Sequence, residues 1–179
     1  MTGLSIITDP GEAAPEEAVQ IDARARVEPD VRVFASVRGS KLVVGPNCLL
    51  ESFVVIRFVG GMGDIVIEED TRIGSFGTLL SGHGIHLGKH ILVAAGCTIA
   101  PVNHAYERRD IPIVQQGFMP SRGGVVVEDE AWIGGRCVLL DGAHIEKGAI
   151  IAAGSVVRGR VPAYTIWGGV PAHYIKDRP

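Results

Sequence analysis

The sequence predicts an all-β prism of short parallel strands, wound in about six coils, with one long loop thrown out from an edge. Three observations predict it. An aliphatic residue recurs every six positions, glycine supplies 24 of the 179 residues, and aromatics are held to 6%. A six-residue period suits neither a 3.6-residue helix nor an alternating strand of ordinary length. It suits strands of a few residues joined by tight corners. Three such strands close a coil, and coil stacked on coil pairs as parallel strands.

The aliphatic series runs Ile21–Val27–Val33, Val44–Leu50–Ile56, Ile67–Ile73–Leu79, Leu87–Val93–Ile99, Val127–Ile133–Leu139 and Ile145–Ile151–Val157, which makes six coils of three strands. Four positions after each of these, the residue is usually small or β-branched, as at Ala25, Val31, Val54, Thr71, Ala131, Ala143, Ala149 and Ser155. Cys48, Cys97 and Cys137 all fall in this phase and so read as small core residues, with no CxxC pair to suggest a zinc site. Gly45, Gly74, Gly88, Gly134, Gly148 and Gly154 stand at the expected corners, where the backbone needs unusual angles. At a parallel-strand spacing of about 4.8 Å, six coils give a prism of roughly 29 Å, whose narrow interior explains the shortage of aromatics.

Every break in the rhythm follows a third strand. The extra residues are Gly39 to Val43, Met62 to Val66, Ile85 with His86, and the twenty-two from Ala105 to Val126. All irregularity therefore leaves one edge, and a loop that long in a compact domain is a place to look for function. Counted in hexads, His83, Asn103, His104 and His144 stack at this edge, and His104 enters the loop. A histidine there is a candidate general base, because its ordinary pKa lies near neutrality. His86, His90 and His173 read as corner residues bonded locally.

Composition narrows the function. The net charge of −3 gives no basic excess for nucleic acid, and no apolar run approaches bilayer length. Residues 1–20, with Asp9, Glu12, Glu16 and Glu17, lack the basic and apolar regions of a signal peptide, so a cytoplasmic setting is expected and these residues form an extension without an assigned role. The prism is expected over 21–162, with the loop at 105–126 and a tail at 163–179.

The segment Asn103-His104-Ala105-Tyr106-Glu107-Arg108-Arg109-Asp110-Ile111-Pro112-Ile113 resembles the loop of hexapeptide-repeat acetyltransferases. So does the ending formed by Trp132-Ile133-Gly134-Gly135, Ile151-Ala152-Ala153-Gly154-Ser155-Val156-Val157 and Gly168-Gly169-Val170-Pro171-Ala172. The resemblance spans residues 21–179 and implies a left-handed parallel β-helix, an exception to the usual right-handed crossover. It implies acetyl-CoA as cosubstrate, no metal, and a homotrimer with sites between neighbours. It assigns the general base to His104. For direct acyl transfer by that base, Asn103 or backbone N–H groups are the expected oxyanion stabilisers, and Asp110 or Glu107 the expected acid orienting His104. Trp132, Gly135 and Ala153 are expected along the pantetheine arm, Gly168, Gly169 and Pro171 near the adenine end, and Lys176 near a phosphate. Arg158-Gly159 departs from the Thr-Lys common in the family at that point.

The acceptor implied first is a sugar or surface-polysaccharide hydroxyl. The second is the amine of a nucleotide-linked amino sugar, and the third is an antibiotic. Two readings from other classes stand beside these. A γ-type carbonic anhydrase needs a pair of histidines five residues apart, which this chain lacks. A structural β-helix subunit needs neither His104 nor the Gly-Gly-Val-Pro-Ala ending.

Overall fold

In a computed structural model, which describes residues 4–7 and 16–179, the chain is a left-handed parallel β-helix of triangular section. The first face stacks Val19–Ile21, Leu42–Val44, Ile65–Ile67, Ile85–Leu87, Val125–Val127, His144–Ile145 and Arg160–Val161. The second stacks Arg26–Val27, Leu49–Leu50, Arg72–Ile73, Leu92–Val93, Trp132–Ile133, Ile150–Ile151 and Thr165–Gly168, then adds His173–Asp177 antiparallel at its end. The third stacks Leu4–Ile7, Val31–Phe34, Val55–Arg57, Thr78–Leu80, Thr98–Ala100, Val138–Leu140 and Val156–Val157. The six coils expected from the hexads are complete, and a partial coil extends each end.

Each hexad aliphatic points inward and is buried from Val33 through Val157; Ile67, Ile73, Ile99, Ile133, Leu139 and Ile145 are wholly enclosed. Burying such a side chain stabilises by about 1.5–3 kcal/mol, so the stacked rows are the main favourable term of the fold. The three cysteines are buried in the same core. Their thiols donate to carbonyls one coil on, Cys48 to Glu68 (2.9 Å), Cys97 to Gly134 (3.2 Å) and Cys137 to Ala152 (3.1 Å).

Corners repeat one device. The third residue after the aliphatic takes a left-handed backbone, with φ of 57° at Asn47, 57° at Asp70, 55° at His90 and 63° at Glu130 on the corner between the first and second faces. On the corner between the second and third faces it is 66° at Asp30, 65° at Phe53, 60° at Phe76, 73° at Gly96, 57° at Arg136 and 72° at Gly154. A single residue in this region turns the chain to the next face, which is why Asn, Asp and Gly recur there.

Two boundaries differ from the sequence reading. Leu4–Ile7 pairs with Val31–Phe34, so four residues of the expected extension belong to the third face; residues 1–3 and 8–15 lie outside the described residues. The extra residues at the irregular edge also come earlier than the hexad count places them. Val43, Val66, Ile85–His86 and Val125–Val126 are strand, and the surplus sits in the turns before them.

Candidate active site

At the irregular edge, between the third and first faces, backbone packs directly on backbone. A Cβ on Gly61 would lie 2.0 Å from the carbonyl oxygen of Gly82, so that edge admits only glycine there. The long loop leaves at Pro101 and returns at Val125. Its two arms are tied by the Met119 N–H donating to Asn103 O (2.8 Å), the Ala105 N–H to Gly117 O (3.0 Å), and a bridge between His104 and Phe118. Asp141, 4% exposed, accepts from the N–H groups of Arg122 (2.8 Å) and Gly124 (2.9 Å), and so fixes the returning arm. Nothing in the spacing points to this role for Asp141, which stands seventeen residues after Gly124, in the next coil.

His104 is exposed at the loop's root, its ring 4.7 Å from that of Phe118 at a 35° tilt, and its nitrogens have no hydrogen-bond partner among the described residues. Asn103 is exposed beside it and lines a cavity of about 180 Å³ with Tyr106, Met119, Pro120, Arg122 and Asp141. His83 Nε2 lies 3.3 Å from Met119 O, so His83, Asn103 and His104 share this edge. His144 does not join them. It pairs in register with Val126 and Arg160, in the column that holds His86, and its Nε2 lies 2.8 Å from Glu128 Oε1. The count failed because the coil after the loop has no surplus residue, which draws His144 forward into the strand. His86 likewise lies 2.6 Å from Glu68 Oε1.

Among the described residues, no acid is hydrogen-bonded to His104. Asp110 is engaged by the guanidinium of Arg108, which holds its carboxyl below the usual carboxylate range, and Glu107 accepts from the Tyr106 N–H (3.2 Å). The loop closes on itself through these residues and Gln116, which donates to Arg108 O (2.7 Å) and Ile111 O (3.1 Å).

The residues expected along the donor gather elsewhere, on the corner between the second and third faces. In its early coils this corner is capped by side chains. Glu28 accepts from the Ser52 N–H (3.1 Å), and Glu51 accepts from the Ser75 N–H (2.9 Å) and hydroxyl (2.8 Å). In the next three coils the equivalent amides are those of Ala95, Gly135 and Ala153, and among the described residues none has an acceptor. The side chains that cap have given way to Gly74, Ala94 and Gly134. At Gly134 a Cβ would lie 2.6 Å from the Ala153 nitrogen. The other regular corner breaks any such run, with Pro46 and with carboxylates that accept from the Lys89 and Lys147 amides.

Three stacked donors are thus bare, with an apolar column beside them on the second face, in which Leu92 and Trp132 are exposed and Ile150 is half-buried. That column continues through Ile166 to Lys176 on the terminal antiparallel strand. Gly168 and Gly169 close the lower end; the Gly169 N–H donates to Ser155 Oγ (3.1 Å), and Gly169 O accepts from the Val156 N–H (3.0 Å). Pro171 lines a separate cavity of about 160 Å³ with Val157, Arg158, Trp167 and His173. The structure thus brings Gly135, Ala153, Gly168 and Gly169 to one corner, with Trp132 and Lys176 along its flank. An extended chain with amide carbonyls, an apolar side and an anionic end fits this strip.

Comparison with known proteins bears on the repeat and the fold. A family model described as bacterial transferase hexapeptide (six repeats) matches residues 124–159, and one described as hexapeptide repeat of succinyl-transferase matches 64–101. WbbJ of Escherichia coli, named for O-acetyl transfer in lipopolysaccharide biosynthesis, is 28% identical over 143 residues, covering 77% of this chain and 69% of its own. The 2,3,4,5-tetrahydropyridine-2,6-dicarboxylate N-acetyltransferase of Staphylococcus aureus is 38% identical over 90 residues, which cover 50% of this chain but only 32% of that enzyme. Among solved structures, a mutant of the N-acyltransferase AntD from Bacillus cereus, in complex with dTDP and coenzyme A, superposes with a TM-score of 0.67 at 17% identity. That match covers 97% of this chain and 84% of AntD, and it speaks for the fold alone. Repeat and register show a left-handed β-helix of hexapeptide repeats, and the curated relatives whose sequences this chain matches are named acetyltransferases.

Proposed function

We propose that the protein transfers an acetyl group from acetyl-CoA directly to a hydroxyl of a sugar or surface polysaccharide, with His104 as general base. The observation that carries the reading is the exposed His104 imidazole, braced at its ring by Phe118 and free at its nitrogens. A neutral imidazole there accepts the proton of an acceptor hydroxyl while the oxygen forms its bond to the acyl carbon; the C–S bond then breaks, and CoA leaves as the thiol, taking that proton from the imidazolium. Acetyl-CoA supplies the activated thioester, and the open amides of Ala95, Gly135 and Ala153, with Trp132 beside them and Lys176 at the anionic end, are the groups that hold it. Asn103, at the same root as His104, is the side chain available to the developing oxyanion.

His104 and the open amides stand on different edges of one prism, with the third face between them. A homotrimer completes the site by setting one copy's loop against a neighbour's corner. The breadth of the similarity to WbbJ favours O-acetylation; an amine of a nucleotide-linked sugar would meet the same base. We place the reaction in the cytoplasm, in keeping with three free buried thiols.

The test is calorimetric titration of acetyl-CoA into the wild type and His104→Ala, followed by thiol-release assays over sugar and amino-sugar acceptors. Acetyl-CoA binds both proteins alike, and turnover in His104→Ala falls by about 10²–10⁴-fold, the usual worth of a general base. Failure of the wild type to bind would remove the donor assignment. Full turnover in the variant would remove His104 from catalysis.

A further inference from the structure

The strip of open amides has a closed end. Along its corner, the residue with left-handed backbone is Asp30, Phe53, Phe76, Gly96, Arg136 and Gly154 in successive coils. Asp and Gly suit that conformation, whereas a bulky ring at positive φ is an outlier. Two phenylalanines nevertheless occupy it in succession. Their rings stack with centroids 5.0 Å apart and planes 10° from parallel, and remain 48% and 64% exposed. Strained backbone that holds two apolar rings in water marks a functional position rather than a packing one.

Their location says which function. Phe76 stands one coil from Ala95, where the open amides begin, so the pair walls off that end of the strip. The opposite end runs out at Gly168, Gly169 and the exposed Lys176. A CoA thioester is polarised in the same sense, with phosphates at one end and the acyl group at the other. Phosphates drawn to Lys176 leave the acyl group pointing toward Phe76. At the level of Gly96 there is no side chain to fill the corner, and the stem of Arg136 leans over it, 3.3 Å from where a Cβ would stand. Phe76 is the wall at that end of the strip, with Phe53 stacked behind it.

We propose that the Phe53–Phe76 stack is the end stop of the donor site and restricts the donor to short acyl groups. The proposal rests on the reading that CoA lies along this corner. Additional methylenes on the thioester run into a ring that cannot retreat, because its partner stands behind it.

The experiment is calorimetric titration of the full chain with acetyl-, butyryl- and hexanoyl-CoA, in the wild type, Phe53→Gly, Phe76→Gly and Phe76→Asn. Gly96 and Asn47 already occupy the equivalent place on the two corners, so these substitutions relieve backbone strain, and unchanged circular dichroism checks the fold. The wild type is expected to bind hexanoyl-CoA at least about tenfold more weakly than acetyl-CoA, as overpacking of a rigid site requires. Either Phe76 variant brings the two within about threefold, a residue of generic tail contact, and Phe53→Gly falls between. Equal binding of short and long thioesters by the wild type, or unchanged discrimination in both Phe76 variants, overturns the end stop alone. Failure of the wild type to bind any thioester overturns the donor reading and the end stop with it.

Discussion

The corner between the second and third faces is two different surfaces on one backbone. In coils two and three, Glu28 and Glu51 reach forward to cap the amides of Ser52 and Ser75, and phenylalanine covers what remains. In coils four to six the same amides, at Ala95, Gly135 and Ala153, are left bare by Gly and Ala. Strand pairing and corner angles do not change between the halves. The difference teaches that a binding surface in a regular fold can be made by subtraction. The repeat supplies a column of donors, and the sequence decides where they stay unclaimed.

That contrast can be tested from either side. The largest effect expected is from Ala94→Glu. Ala94 is the counterpart of Glu51, so the new carboxylate is placed to cap the Gly135 amide as Glu51 caps Ser75. Acetyl-CoA should bind about tenfold more weakly, the loss of roughly one hydrogen bond and its surroundings, while the thermal midpoint holds or rises. Unchanged affinity would mean that Gly135 does not hold the donor. The converse, Glu51→Ala, strips a cap from the early half and should cost about 1 kcal/mol in denaturant unfolding without altering acetyl-CoA affinity.

The smallest effect is on acid stability. At the corner between the first and second faces, Arg24 holds Asp22 down to about 2, Lys89 holds Glu69 below the usual range, and Arg160 does the same for Glu146. Each lowered group stabilises above its unfolded pKa and loses that contribution as pH falls through its folded value, so the loss begins near pH 4 and is completed for Asp22 near pH 2. Hydrogen exchange measured over that range should quicken first at this corner. The Gly- and Ala-built half of the other corner has no acid to titrate and should lag behind it.

How much of this the sequence declares follows from where each feature is encoded. Inward residues are written once per hexad, so the six coils, the core rows from Val33 to Val157 and the buried place of Cys48, Cys97 and Cys137 were legible from spacing. The irregular edge was legible only as a location. His83, Asn103 and His104 follow from the count, but His144 does not, because surplus residues before Ile85 and Val125 fall in turns whose absorption spacing cannot reveal. Asp110 looked free to orient His104, yet Arg108, two residues away, claims it first. The bare amides were invisible for a further reason: whether an amide is capped depends on a side chain one coil earlier, nineteen or more residues back in the chain.

A stack of parallel strands has an inherent hazard at its ends, where unpaired edges invite another copy to continue the stack. The reversed strand His173–Asp177 bears on this. It closes the last level of the second face with a strand running the wrong way for the next coil, every residue of it exposed. The segment before it is bonded to Val156 through Gly169 and Ala172, which occupies the third face's last strand as well. The tail that carries the anionic end of the proposed donor site therefore also guards against filament growth, and a chain cut before His173 would expose a template for its own polymerisation.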